Sequence, residues 1–178
     1  MRQNVIKLAL SLITSATMLS LPVLASANQA QAEFSLNGQA VKNSDARDKA
    51  TSNLLGGAFH IYVYGYIAPD TKSRQLDLWV KNFDEKTGEY QATANYHLRD
   101  EANREFLYSS KPLSVKVKIT EFKLNPAGNH LNYATISGEF QGELQANVFD
   151  PQLKKLPLAQ PLKINSGSFK NVNVAKIN

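Results

Sequence analysis

Phe59-His60-Ile61-Tyr62-Val63-Tyr64-Gly65-Tyr66-Ile67 alternates with a period of two. Successive side chains of an extended strand point to opposite faces. Phe59, Ile61, Val63 and Ile67 therefore share one side, and His60, Tyr62, Tyr64 and Tyr66 share the other. The first set is the core face of a strand. The second is a row of polar-tipped rings.

The same alternation extends in both directions. C-terminally, Leu76 to Phe83 places Leu76, Leu78 and Val80 on one face and Trp79 and Phe83 on the other. Asp84-Glu85-Lys86-Thr87-Gly88 reads as a hairpin loop. Its return strand, Glu89 to Leu98, turns Tyr90, Ala92, Ala94, Tyr96 and Leu98 inward. Arg99 to Glu105 is a charged connector, with the long loop running on to Ser110. Leu113, Val115, Val117 and Ile119 then face in, Lys116 and Lys118 face out, and a slip of phase at Glu121-Phe122 predicts a bulge. Asn125 to Asn129 is a turn. Leu131 to Val148 is long for one strand, with Gly138 and Gly142 as bending points. Asp150 to Pro161 is an exposed loop, and Leu162 to Val174 a final hairpin or bent strand.

N-terminally, Phe34-Ser35-Leu36 and Gln39-Ala40-Val41 flank Asn37-Gly38, a pair suited to a type I′ turn because both central residues take positive φ. Ser44 to Leu55 is the one helical candidate, since Ala46, Ala50 and Leu54 recur at intervals of four and Gly56 follows. The whole predicts an all-β, single-domain antiparallel sandwich or small barrel of about seven to nine strands, with a short helix near 44–55.

The first 27 residues read differently. Arg2 and Lys7 precede an apolar run from Leu8 to Leu24, and Ala25-Ser26-Ala27 offers the small residues a signal peptidase cuts after. A second small-x-small site, Ala30-Gln31-Ala32, lies just beyond. The expectation is a secretory signal peptide over 1–27, cleaved alternatively after 32, and one β-domain over 28–178 in the periplasm or outside the cell. The run is short and interrupted by Pro22, which disfavours a transmembrane anchor.

The chain carries 20 basic and 15 acidic residues. Arg2 and Lys7 would leave with the leader, so the exported part is only mildly basic. Its charges are mixed, without the basic stripe of a nucleic-acid binder. There is no cysteine, which excludes a disulfide framework, a thiolate nucleophile and a lipid-bearing N-terminal Cys.

Several segments follow a recognisable order: Phe34 to Val41 with its Asn-Gly turn, Gly88-Glu89-Tyr90, Val117-Lys118-Ile119-Thr120-Glu121-Phe122, Ile136-Ser137-Gly138-Glu139-Phe140-Gln141-Gly142, and Ile164-Asn165-Ser166-Gly167-Ser168-Phe169. The series resembles a family of small exported bacterial all-β domains of unknown function, often lipoproteins, over about 33–174. The resemblance implies a β-sandwich grammar and no catalytic residues. This chain departs from it in lacking the anchor Cys and in its long loops.

The row His60, Tyr62, Tyr64 and Tyr66, supplemented by Trp79, is the candidate ligand-binding set. It suits stacking on a glycan, a peptide or a flat cofactor, because tyrosine and tryptophan give rigid contact area with a polar tip. Haem ligation by a Tyr–His pair is the sharper version of the same reading; ordinary cross-strand aromatic pairing is the plain one. His97 and His130 lie at no metal-ligand spacing from each other or from His60. No nucleophile elbow appears, and Glu139 and Glu143 stand too far apart on an extended strand for a glycosidase pair. Lys116, Lys118, Lys123, Lys154, Lys155 and Lys163 read as charges that protect a sheet edge. The expectation is a non-catalytic binding or protein-interaction module of the bacterial envelope, with no cofactor and no metal, whose partner is a protein, glycan or small molecule. The alternatives are a small-molecule carrier with a lipocalin-like barrel and an outer-membrane or envelope structural component.

Overall fold

The computed structural model describes residues 30–41, 50–55, 58–65, 74–99, 105–147, 153–155 and 160–177. The fold is all-β. Its ten strands are β1 (Gln31–Leu36), β2 (Gln39–Val41), β3 (Ala50–Leu55), β4 (Ala58–Gly65), β5 (Arg74–Lys81), β6 (Gly88–Arg99), β7 (Glu105–Ser109), β8 (Val115–Leu124), β9 (Ala134–Asn147) and β10 (Leu162–Ile177), with a 3-10 turn at Leu153–Lys155.

The strand pairings close on themselves. β10 pairs with β3, β3 with β4, and so on through β5, β6, β8 and β9, which returns to β10. β7 bridges β6 and β9 beyond the end of β8, and the β1–β2 hairpin attaches to β10. The result is a barrel-like ring whose inward positions are apolar. Phe59, Ile61 and Val63 of β4 and Leu76, Leu78 and Val80 of β5 have no exposed surface.

Rings fill much of the interior. Phe34 meets Tyr96 edge-on at 6.0 Å and Phe140 at 6.3 Å, and Phe140 stacks near Phe169 at 6.3 Å. Two glycines make room for them. Gly138 lies opposite Phe169 and Gly167 opposite Phe140 in the β9–β10 register. A Cβ on Gly138 would stand 2.6 Å from Cζ of Phe169, and one on Gly167 would run into the ring of Phe140. Each phenylalanine thus covers the bare backbone of the other strand, an arrangement that fixes register.

Several expectations change. Ala50–Leu55 is a strand, not part of a helix, and residues 44–49 lie outside the described set. The spacing Ala50, Leu54 suits a helix, but Ala50, Ser52 and Leu54 also alternate, and all three are buried between β4 and β10. Burial on a sheet outweighs weak local propensity. The sheet is mixed, because β3 runs parallel to β10. The described residues form ten strands, since the stretch assigned to the long loop contains β7, where Phe106 and Tyr108 turn inward. Phe83 is buried rather than facing out with Trp79: Asn82 takes a left-handed φ of 56° and turns the chain, so that Phe83 stacks on Phe59 at 4.8 Å. Leu113 is outside, with a φ of 55° and 37% of its surface exposed. Of the two readings of the final segment, the bent strand holds: it is one strand with bulges after Ile164 and Phe169. The Asn37-Gly38 turn and the bulge at Ile119/Glu121 agree with the sequence reading.

One end of the ring is fastened by the β5–β6 loop. Tyr133 donates from its hydroxyl to Glu85 Oε2 at 2.6 Å, and Lys176 Nζ donates to Oε1 at 3.1 Å while lying 4.4 Å above the Tyr133 ring. The Tyr133 hydroxyl and then Lys176 hold the Glu85 carboxyl below its ordinary value of 4.5. A depressed carboxylate stabilises the fold above its unfolded pKa, and that contribution is lost as pH falls through the folded value. The group is largely solvated, so the contribution is under about 1 kcal/mol. Glu85→Gln should therefore cost stability at pH 7 and reduce the loss that the native chain shows between pH 5 and 3, measured by urea denaturation at each pH. Equal pH slopes in both proteins would remove this role from Glu85.

The glycine–phenylalanine pairs give a second test. Gly167→Ala should cost about 1–3 kcal/mol by overpacking. Combined with Phe140→Ala, the double variant should lose clearly less than the sum of the single losses, because one change makes the space that the other fills. Strict additivity in the double-mutant cycle would contradict the packing described.

Candidate ligand-binding face

β4 and β5 present the candidate residues outward because their alternate positions are committed to the core. The register sets His60 opposite Trp79 and Tyr62 opposite Asp77. His60 lies between two rings, 5.5 Å from Trp79 at an interplanar angle of 15° and 6.1 Å from Tyr62 at 13°. Three near-parallel rings from two strands form one stack. Trp79, the single tryptophan of the chain, keeps 48% of its surface exposed, while His60 and Tyr62 are half-buried.

The structure thus brings together His60, Tyr62 and Trp79. Tyr64 continues along β4 opposite Gln75, but its side chain is outside the described set, as is the whole of Tyr66. Trp79, a supplement in the sequence reading, is the most exposed ring of the stack.

Polar residues frame the rings. Asn53 of β3 pairs with His60 and Thr51 with Tyr62; Thr93 of β6 pairs with Trp79 and Asn95 with Asp77. Gln75 Nε2 donates to Asp77 Oδ1 at 2.5 Å, and Ser109 Oγ donates to Asn95 Oδ1 at 2.8 Å. These bonds orient two planar groups beside the stack. Lys81 lies exposed two residues beyond Trp79, so a cation and the Asp77 carboxylate flank the tryptophan along β5.

Partial burial among the rings lowers the pKa of His60 below 6.5, opposed by the charge of Asp77. His60 is neutral at pH 7. His97 shares the outward face, opposite Gln75 on β6, but four residues along the strand and two strands over leave it about 16 Å from His60 by strand geometry. His130 lies exposed in the turn before β9. Among the described residues, no three His, Asp or Glu side chains gather into a group that could hold a metal ion.

A concavity of about 1140 Å³ lies on the other side of the ring from β4 and β5. Its floor is the outward face of β1, β10, β9, β8 and β6. One register row crosses all five strands: Glu33, Ser168, Glu139, Lys118 and Glu89. Gln91, Lys116 and Gln141 form a parallel row. Two of the lysines expected at a sheet edge, Lys116 and Lys118, are here instead: over Lys116 to Ile119, β8 is paired on both sides. The sequence shows only alternating charges on separate strands, which read as solvated faces, so the groove was not legible before the strands were assembled.

No protein-family model matches the chain, and no curated protein or solved structure matches it either.

The His60 stack makes a measurable prediction. Because the folded pKa lies below 6.5, the unfolded chain takes up its proton first as pH falls, so the fold loses stability below pH 6.5 until His60 itself protonates. Trp79 emission should titrate with an apparent pKa below 6.5, and His60→Asn should abolish that titration and flatten the stability loss over the same interval. A titration unchanged in His60→Asn would assign it to another group.

Proposed function

We propose that this chain is an exported, non-catalytic binding module of the bacterial envelope, and that its ligand stacks on the His60, Tyr62 and Trp79 face. The observation that carries the reading is the exposure of Trp79 beside two half-buried rings. A large aromatic left in water on a sheet whose neighbours are polar is costly to solvate and gains when a ligand covers it. The stack with His60 restrains the indole, so less side-chain entropy is lost on binding.

Export follows from the leader, and the packing of β1 favours cleavage after Ala27. Cleavage after Ala32 would remove Gln31 and Ala32, which pair with Lys170 and Phe169, and Ala32 is 98% covered, having only 2% of its surface exposed. An envelope protein that is free of the membrane fits the outward charges of β6, β8 and β9. A membrane barrel needs an apolar outer band, and Lys116, Lys118, Glu89 and Glu139 interrupt any such band. The closed ring is the feature that favours the alternative of a small-molecule carrier. Against it, the wall formed by Phe59, Ile61 and Val63 is fully covered by its neighbours.

The test is to express the whole chain in a bacterium, fractionate the cells and weigh the product. The expected result is a detergent-free periplasmic or secreted protein beginning at Asn28, whose Trp79 emission shifts saturably with a soluble envelope extract. A cytoplasmic, uncut product would defeat the export reading. A ligand whose affinity survives Trp79→Ala, followed by calorimetry, would move binding off this face.

A further inference from the structure

We infer that the ligand of the β4–β5 face is a neutral oligosaccharide; this rests on the binding reading above and narrows it to a chemical class. Three candidates suit a row of aromatic rings: an extended peptide, a flat cofactor and a sugar chain. The geometry separates them.

An extended peptide adds to a sheet through an unpaired strand edge, where backbone hydrogen bonds supply affinity. β4 is paired with β3 over Ala58 to Val63 and with β5 along its length, and β5 is paired with β6 over Gln75 to Val80. Neither offers an edge beside the rings. A flat cofactor enters a slot between two aromatic faces. Here the rings already face one another, with centroids 5.5 and 6.1 Å apart, and His60 fills the position that a planar guest would take.

A sugar needs neither edge nor slot. Its C–H face packs on one exposed ring, and its hydroxyls pair with planar amides and carboxylates around the rim. Trp79 provides the ring. Asp77 and Asn95 provide planar groups already oriented by Gln75 and Ser109, and the Asn53 side-chain amide has no partner among the described residues. A half-buried polar rim of this kind gives selectivity, because a ligand lacking the matching hydroxyls leaves these groups unpaired.

The charges argue for a neutral chain. Asp77 and Lys81 lie on either side of Trp79 along β5, so a polyanion meets Asp77 and a polycation meets Lys81. Uronate polymers and nucleotides lose at one end what they gain at the other. The face spans four strands from β3 to β6, about 14 Å at the usual strand spacing, which accommodates a short oligosaccharide rather than a single ring.

The chain's only tryptophan lies in the site, so its emission reports occupancy directly. The mature protein would be titrated with neutral β-1,4-linked hexose and N-acetylhexosamine oligosaccharides, with an oligouronate, with an unstructured neutral peptide and with adenosine. A saturable shift with at least one neutral oligosaccharide is expected. By calorimetry, Trp79→Ala and Tyr62→Ala should each weaken it at least tenfold, and Asp77→Asn severalfold, with circular dichroism and thermal midpoints retained. Phe122→Leu, away from this face, serves as a folding comparison: it should lower the midpoint and leave affinity unchanged. Tighter binding of the oligouronate, or of the peptide or adenosine alone, would overturn the sugar class while leaving a binding face in place. No response to any probe at millimolar concentration would overturn both.

Discussion

The reciprocal packing of two phenylalanines on two glycines, across β9 and β10, is the constraint on which the rest of the ring depends. Gly138 and Gly167 leave the partner strand's backbone bare, and Phe169 and Phe140 lie over it. A slip of one residue would turn the inward residues of one strand out and take each phenylalanine off its glycine, losing apolar burial along the seam. Phe140 then meets Phe34 on β1, and Phe34 meets Tyr96 on β6. One pair of cross-strand contacts therefore sets the seam, and the chain of rings carries that register across the interior to the opposite wall.

β10 can hold three partners because it is bulged. Over Ile164 to Lys170 it pairs with β1, and over Val174 to Ile177 with β3, while β9 follows its other edge. Inward residues change from even to odd and back again: Ile164, then Gly167 and Phe169, then Val172 and Val174. The second change falls at Asn171, whose φ of 54° suits an asparagine, and whose backbone N–H donates to Ser137 Oγ at 3.2 Å. Bulges thus keep an apolar residue on the inside of a strand that must also bend around the ring. β3 takes the second half of that edge, since β1 already occupies the first.

Alternation was enough to read the all-β class, the inward faces of β4, β5, β6 and β8, and the Asn37-Gly38 turn. What it missed has a common physical cause. Phe83 and Leu113 change sides because a single left-handed residue, at Asn82 and at Leu113 itself, breaks the period, and an isolated αL residue other than glycine leaves little trace in sequence. β7 is five residues long and follows a charged segment, so it reads as part of the loop running on to Ser110, although Phe106 and Tyr108 face inward. β3 reads as a helix because alanine and leucine serve both periods, and only its neighbours on either side choose between them. The candidate face was partly legible for the opposite reason. His60 and Tyr62 are consecutive outward positions of one strand, whereas Trp79 joins them only through the β4–β5 register, which alternation alone does not supply.

A filled ring divides its surface into outer faces that are free to differ, and here they do. Packing of β4 and β5 is satisfied entirely by residues such as Ile61 and Leu78, which have no exposed surface. Nothing in that packing requires His60, Tyr62 and Trp79 outside; threonine or lysine would hold the strands as well and would be better solvated. Across the ring, β8 and β9 make the ordinary choice, with Lys116, Lys118, Glu139 and Gln141 in the same structural positions. Neutral histidine in the middle of the aromatic stack also forgoes hydration of its charged form, the cause of its lowered basicity. Stability accounts for the charged face; on the aromatic one, stacking of His60 on Trp79 and Tyr62 adds pairing across the two strands, yet Trp79 is left with 48% of its surface exposed.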